Sequence, residues 1–169
     1  MRYSFVTVWT IPAPLKPVWE TIFAVDRWPT WWRGLEPVIL LKPRTCPDGT
    51  GAVHRLTFQG PLPYRLTFDS QVTKVNLFER IESQATGELE GTGVWTFSFK
   101  GTSTVVRYDW NVRTAKFWMN LAAPLLWPTF RWNHDAVMDQ GEKGIVRLLT
   151  GRGSPDSATR NQASSAQVF

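Results

Sequence analysis

The sequence predicts an α+β domain in which an antiparallel sheet of seven strands packs against one long C-terminal helix. Two patterns in the chain of 169 residues support this prediction. Between Leu126 and Leu149, apolar residues recur every three or four positions, as they do along one face of a helix. Before that segment, short stretches alternate apolar and polar residues, which is typical of strands with one face buried and the other in water.

The long helix is predicted from its apolar face, which carries one inward-pointing histidine. This face contains Leu126, Phe130, His134, Val137, Gly141, Ile145 and Leu148. Gly141 and Gly144 lie on the buried side, where each glycine costs roughly 1 kcal/mol of helix propensity relative to Ala. We therefore expect another backbone to approach the helix closely at these glycines. Pro124 and Pro128 are expected to kink or restart the helix.

Alternation of side chains and turn residues defines the strands. They are predicted at residues 3–11, 36–42, 54–58, 66–72, 78–85, 95–99 and 106–112. Gly87, Gly91 and Gly93 indicate a tight turn or bulge before the sixth strand. Lys100–Thr102 is typical of a hairpin turn between the last two strands.

Two short helices are predicted after the first strand. Pro14 suits the first position of a helix, and Leu15, Val18, Trp19, Ile22 and Phe23 then repeat at helical spacing. A second, very short helix is predicted around residues 28–32, where Pro29 suits a first helical turn.

Composition limits the possible functions. A single cysteine excludes an internal disulfide, and two His with one Cys provide no ligand cluster at metal spacing. No glycine pattern of a phosphate loop and no serine nucleophile motif occur, so no cofactor is expected. The net charge of +5 is dispersed along the chain, so it indicates nucleic-acid binding only weakly.

The chain is expected to be one domain, residues 1–150, followed by a disordered tail, residues 151–169, that is rich in small and polar residues. No leader and no apolar run of transmembrane length are visible, so a cytoplasmic protein is expected. The ten Trp are unusual for a chain of this size. They indicate either a very aromatic core or a cavity lined with rings. The oligomeric state is not predicted.

Several segments together resemble a known superfamily. They are Trp9–Pro14, Val18–Glu20, Asp26–Trp32, Gly91–Trp95 and Trp132–Met138. With the order of elements, they resemble the START-like, or SRPBCC, superfamily, which has the Bet v 1-like helix-grip fold, and bacterial members of the polyketide cyclase or dehydrase type. The resemblance covers residues 3 to about 150. It is specific for the fold and weak for activity, because the superfamily shares a cavity rather than a catalytic set.

The resemblance implies that a curved sheet wraps the long helix and leaves an apolar cavity between them. The residues expected to bind a ligand there are Trp31, His54, Leu56, Phe58, Phe68, Ser83, Trp95, Phe97, Tyr108, Trp110, Phe130, His134 and Met138. The alternative is a solid core, since protein interiors are usually packed to crystal density.

His134 and Tyr108 are the candidates for catalysis. His134 could serve as a general base if a substrate proton came within hydrogen-bond reach. The favoured alternative is structural: a neutral imidazole bonded to a strand carbonyl, to Tyr108 or to Asn133. Tyr108 could donate a hydrogen bond to a ligand carbonyl, or its hydroxyl could reach solvent at the cavity mouth.

Three functions remain open, in this order of preference. The first is a carrier or sensor that binds a small hydrophobic molecule such as a lipid, an isoprenoid or an aromatic polyketide. The second is a cofactor-independent enzyme of the cyclase or dehydrase type. The third is a regulator that binds a macromolecule, although no basic stripe interleaved with exposed aromatic residues supports it.

Overall fold

The computed structural model describes residues 2–114 and 117–151. These residues form the strands β1 (Arg2–Ile11), β2 (Ile39–Lys42), β3 (Val53–Gln59), β4 (Arg65–Asn76), β5 (Arg80–Gly87), β6 (Leu89–Lys100) and β7 (Ser103–Thr114). They also form the helices α1 (Leu15–Phe23) and α2 (Phe117–Thr150) and a 3-10 helix (Val25–Thr30). The predicted tail lies almost wholly outside the described residues. The side chains of residues 117–127 also lie outside them.

The strands form one antiparallel sheet in the order β1-β7-β6-β5-β4-β3-β2. Consecutive strands from β2 to β7 are neighbours. Strand β1 forms the edge opposite β2 and pairs with β7 from Arg2 to Ile11. The predicted fold class, a seven-stranded antiparallel sheet with two short helices and a long C-terminal helix, is confirmed. The second short helix begins three residues earlier than predicted, at Val25.

One face of the sheet carries the core and the other faces water. Along β7, Val106, Trp110 and Val112 are buried, while Arg107 and Arg113, at alternate positions of the strand, are exposed. The exposed arginines pair with nearby carboxylates, such as Arg107 with Asp109 at 2.6 Å. Exposed pairs of this kind contribute little to stability, because water screens the two charges. The sheet is therefore held to the helices mainly by burial of its apolar face.

The turn predicted before the sixth strand is confirmed at Gly87, which ends β5 with a φ of 107° and is separated by a single residue from the start of β6 at Leu89, whereas Gly91 and Gly93 lie within β6. Gly91 and Gly93 pair with Val112 and Trp110 of β7. A Cβ at Gly91 would collide with the backbone carbonyl of Asn111. Glycine within a strand often marks a place where another group approaches closely. Gly91 permits such an approach by the backbone of β7.

Helix α2 begins nine residues before the predicted start at Leu126 and contains both Pro124 and Pro128. The helix therefore does not restart at these prolines, which contradicts one of the two predicted alternatives; the other, a kink where each proline removes a backbone hydrogen bond, stays a prediction. The assignment of Leu148 to the buried face is also wrong: Leu148 is 53% exposed, and Leu149 packs on the core instead. Within residues 2–114 and 117–151, no helical stretch reaches the length and hydrophobicity of a transmembrane span.

The predicted close approach of another backbone is confirmed at Gly144, whereas the groups that approach Gly141 are indole rings. A Cβ at Gly141 would lie 2.6 Å from the indole of Trp32 and 2.9 Å from that of Trp9. A Cβ at Gly144 would collide with the carbonyl oxygen of Trp31. The missing side chains therefore let α2 lie directly on the segment that follows the 3-10 helix.

Gly144→Ala is expected to destabilise the protein by about 1–3 kcal/mol, because the added methyl group overpacks the contact with Trp31. In a free helix the same change would stabilise by roughly 1 kcal/mol, so the sign of the effect is diagnostic. The measurement is urea unfolding. Leu148→Ala, on the exposed side of the same helix, is the control and should change stability by less than about 0.5 kcal/mol. A stabilised Gly144→Ala protein would show that this contact is absent.

Candidate ligand-binding site

A cavity of about 140 Å³, here called the inner cavity, lies between the sheet and the stretch of α2 around residues 130–138. Most of its wall is aromatic. The rings are those of Tyr3, Phe5, Trp28, Trp32, Phe58, Tyr64, Phe68, Trp95, Tyr108, Trp110 and Phe130. A cavity of about 150 Å³ in another protein is large enough to hold benzene. The interface is therefore not completely filled, and its space matches a single aromatic ring.

Contacts between rings build the wall on the sheet side. Tyr108 stacks on Trp95 of the neighbouring strand, with ring centroids 4.0 Å apart. On its other side, Tyr108 stacks on Trp110 at 5.7 Å, and Trp110 contacts Phe68 at 5.4 Å. Aromatic side chains are rigid and keep preferred relative geometries. Rings supported by each other in this way cannot easily collapse into the remaining space.

His134 forms part of the wall on the helix side. Its imidazole stacks on Phe5 with centroids 4.2 Å apart, and its Nδ1 lies 3.4 Å from the carboxylate of Asp135. Its Nε2 is buried without a hydrogen-bond partner among the described residues. The predicted bond to a strand carbonyl, Tyr108 or Asn133 is not formed there. Burial lowers the pKa of His134, although Asp135 opposes this shift, so the imidazole is neutral near pH 7.

Two hydroxyl groups belong to the sheet side of the cavity. A Cβ at Gly93 would lie 2.6 Å from Oη of Tyr108 and 3.0 Å from Oγ of Ser83, so both groups converge above this glycine. The Ser83 hydroxyl donates to the carbonyl of Gly93 at 3.3 Å. Burial raises the pKa of the Tyr108 phenol, which therefore remains a protonated donor.

A second cavity of about 340 Å³, here called the outer cavity, lies beside the first. It is bordered by the end of α1, the 3-10 helix and the β2–β3 connection. Its ionisable lining residues are Asp26, Arg44 and His54. Burial lowers the pKa of His54, while the carboxylate of Asp26 has the opposite, smaller effect.

The structure brings most of the predicted site residues to one cavity. Those that line the inner cavity are Leu56, Phe58, Phe68, Ser83, Trp95, Tyr108, Trp110, Phe130, His134 and Met138. His54 lines the outer cavity instead. Phe97 and Trp31 line neither: Phe97 lies under α1 with its ring centroid 4.8 Å from that of Trp19, and Trp31 stacks on Trp32. Phe97 lies on the same face of the sheet as Trp95, but helix α1 covers that end of β6.

Other lining residues are not among those predicted to bind a ligand, although Val137 is predicted on the inward face of the helix and Asn133 as an alternative partner of His134. The most informative are Tyr3, Phe5, Leu89, Asn133 and Val137. The alternation of β1 places Tyr3 and Phe5 on the same face as Trp9, and this signal could have found them. The sequence does not show that β1 pairs with β7, and this pairing sets Phe5 opposite Trp110.

Bonds to backbone groups hold the surrounding elements in place. Trp32 donates from Nε1 to the carbonyl of Val137 at 2.9 Å, and Trp28 donates to the carbonyl of Ile22 at 2.9 Å. Asn133 accepts a bond from the backbone N–H of Leu62 at 3.3 Å, which ties the β3–β4 connection to α2. Among the described residues, no group of three or more His, Cys, Asp or Glu side chains is placed to hold a metal ion.

Solved structures share this architecture over most of the chain. A START superfamily protein from Mycobacterium smegmatis superposes with a TM-score of 0.70 and 12% identity, over 89% of this chain and 99% of that one. The Zhui aromatase/cyclase from Streptomyces sp. R1128 gives a TM-score of 0.64 and 17% identity, over 91% and 100%. The di-domain ARO/CYC StfQ of the steffimycin biosynthetic pathway gives 0.63 and 14%, over 89% of this chain and 52% of that one.

No protein-family model matches the sequence, and no curated protein matches it. At these identities the structural likeness establishes the fold and leaves the activity to the residues of the site. This chain, with its curved seven-stranded antiparallel sheet and long C-terminal helix, superposes on these structures over 89–91% of its length. The chain therefore has the START-like helix-grip fold.

Proposed function

We propose that this protein binds a small hydrophobic molecule that carries an aromatic ring or a similarly flat apolar group, and that it serves as a carrier or sensor of that molecule. The observation that carries the proposal is the inner cavity, which is walled by aromatic rings and holds an imidazole nitrogen to which no described residue bonds. Pockets for small molecules are commonly apolar with a few polar groups that orient the ligand.

Nε2 of His134, to which no described residue bonds, makes the cavity favour a ligand that can form a hydrogen bond with it. Leaving a buried polar group without a partner costs about 1–3 kcal/mol. A ligand hydroxyl next to Nε2 of His134 would remove this penalty, and a ligand carbonyl could accept a bond from the phenol of Tyr108. The favoured ligand is therefore mostly apolar and carries at least one hydroxyl or carbonyl group.

A second candidate function is a cofactor-independent enzyme of the cyclase or dehydrase type. Its support is the presence, in the same cavity, of a neutral imidazole and a protonated phenol. The imidazole could take a proton from a carbon next to a ligand carbonyl while the Tyr108 phenol donates to the carbonyl oxygen. Two of the similar structures are described as aromatase/cyclases, which agrees with this chemistry.

The geometry of the described residues adds nothing to the third hypothesis, a regulator that binds a macromolecule. On the exposed sheet face, Arg55, Arg80, Arg107 and Arg113 each pair with a neighbouring carboxylate. These four positive charges are therefore compensated locally.

Native mass spectrometry after mild purification is expected to show an apolar molecule bound to the protein. Val137→Trp should abolish this adduct, because an indole at this position of α2 fills the inner cavity. Leu148→Trp adds the same group on the exposed side of the same helix and should retain the adduct. An unmodified mass for the natural protein, together with no binding of toluene by calorimetry, would contradict the proposal.

The catalytic candidate predicts proton exchange in acetophenone, which places a ketone beside one ring. In heavy water the protein should accelerate deuteration of the methyl group by roughly 10²-fold, a typical contribution of general base catalysis. NMR follows the loss of the methyl signal. His134→Gln should return the rate to that of buffer, whereas His54→Gln, in the outer cavity, should not. Exchange at the buffer rate in the natural protein would remove this candidate.

Stability is expected to fall as the pH is lowered below the ordinary histidine pKa of about 6.5. His134 and His54 have lowered pKa values in the folded protein, so the unfolded chain binds more protons in this window. The folded state therefore becomes less favourable as the pH falls towards those lowered values. Urea unfolding at several pH values should show a smaller slope for His134→Gln and a still smaller one when His54→Gln is added. An unchanged slope would mean that neither imidazole is desolvated.

A further inference from the structure

The inner and outer cavities meet at a thin common wall. Five residues line both of them: Trp28, Leu56, Ser70, Ser83 and Trp95. On the sheet, Ser70 and Ser83 come from the neighbouring strands β4 and β5, where Ser83 is paired with Val72. A single layer of side chains thus separates the two spaces, and between Leu56 of β3 and Trp95 of β6 that layer consists of the small polar residues Ser70 and Ser83.

The two volumes differ in the size of group they can hold. The inner cavity, at about 140 Å³, holds a single ring, whereas the outer cavity measures about 340 Å³. The volume of the outer cavity is therefore larger than one aromatic ring requires. A molecule that used both spaces would be longer than one ring and would pass beside Ser70 and Ser83.

The charges of the outer cavity indicate what its occupant carries. Asp26 and Arg44 contribute one charge of each sign, and both are exposed at the rim. Neither forms an ion pair with another described residue. His54 lies deeper, is half-buried and is neutral near pH 7 because burial disfavours its charged form. The two charges lie at the exposed rim, whereas the deeper ionisable group is the neutral His54, so an ionised ligand group buried beside His54 would be uncompensated, which is costly.

We propose that the outer cavity is the second compartment of one elongated binding site, and that it takes the uncharged hydroxyl or carbonyl end of a ligand whose ring occupies the inner cavity. This inference rests on the proposed function. His54 together with the hydroxyls of Ser70 and Ser83 supplies the hydrogen bonds along the outer part of the ligand. Acids and amines of the same length are disfavoured there.

Three probes separate the compartments when their dissociation constants are measured by calorimetry. Toluene fits the inner cavity alone, biphenyl-4-ol is long enough for both, and biphenyl-4-carboxylate adds a charge at the outer end. Val72→Trp fills only the outer cavity, because Val72 lines that cavity and not the inner one. Gln71→Trp, on the exposed face of the same strand, is the matched control.

We expect Val72→Trp to weaken biphenyl-4-ol by about tenfold or more, equivalent to about 1.4 kcal/mol, and to leave toluene within about twofold. Gln71→Trp should change neither. The natural protein should bind biphenyl-4-carboxylate about tenfold or more weakly than biphenyl-4-ol. Leu40→Trp, at the exposed rim of the outer cavity, provides the same comparison if Val72→Trp does not fold.

If the folded outer-cavity variant binds both toluene and biphenyl-4-ol as tightly as the natural protein does, the two-compartment site is overturned. The proposed function would then still stand. Carboxylate binding as tight as that of the phenol would overturn the requirement for an uncharged end. If the natural protein binds neither toluene nor biphenyl-4-ol, the proposed function fails and this inference fails with it.

Discussion

The close approach of helix α2 to the segment containing Trp31 and Trp32 is the constraint on which the rest of the structure depends. Gly141 and Gly144 allow it, because any side chain at these positions would collide with indole or backbone atoms. The helix is thereby held tightly at its C-terminal half. Around residues 130–138 its side chains line open space instead. A helix held close at one end and separated from the sheet further along leaves a cavity between two otherwise packed layers.

The cavity persists because of the kind of residue that surrounds it. Aliphatic side chains can adjust their rotamers to fill gaps, but stacked rings such as those of Trp95 and Tyr108 are rigid and support each other. The polar atoms in the wall add a second feature. Nε2 of His134 is buried in an apolar environment without a partner from the described residues, and such arrangements are uncommon in native proteins unless they serve a role. Shape and chemistry therefore indicate the same use of this space.

Neither feature identifies a reaction by itself. A neutral imidazole and a protonated phenol can orient a bound molecule by hydrogen bonding, and the same two groups can move a proton if a reactive carbon lies between them. Lowered basicity of a buried His134 favours the first role, since it weakens the imidazole as a base while keeping it available as a hydrogen-bonding group at neutral pH. The same reasoning applies to the outer cavity. His54 is a half-buried imidazole whose charged form is disfavoured, so it also favours hydrogen bonding over proton transfer.

The sequence by itself determined the antiparallel sheet, the long helix and the close contact at Gly141 and Gly144, because alternation, helical spacing and the cost of glycine are local properties. It placed Phe58 and Trp110 facing the helix, and Met138 of the helix facing the sheet, for the same reason. Tertiary structure alone decided that α1 covers Phe97, that Trp31 lies behind Trp32, and that β1 brings Phe5 to His134. It also decided that space remains between the layers, since the volume between rings depends on how distant elements pack, which no spacing along the chain encodes.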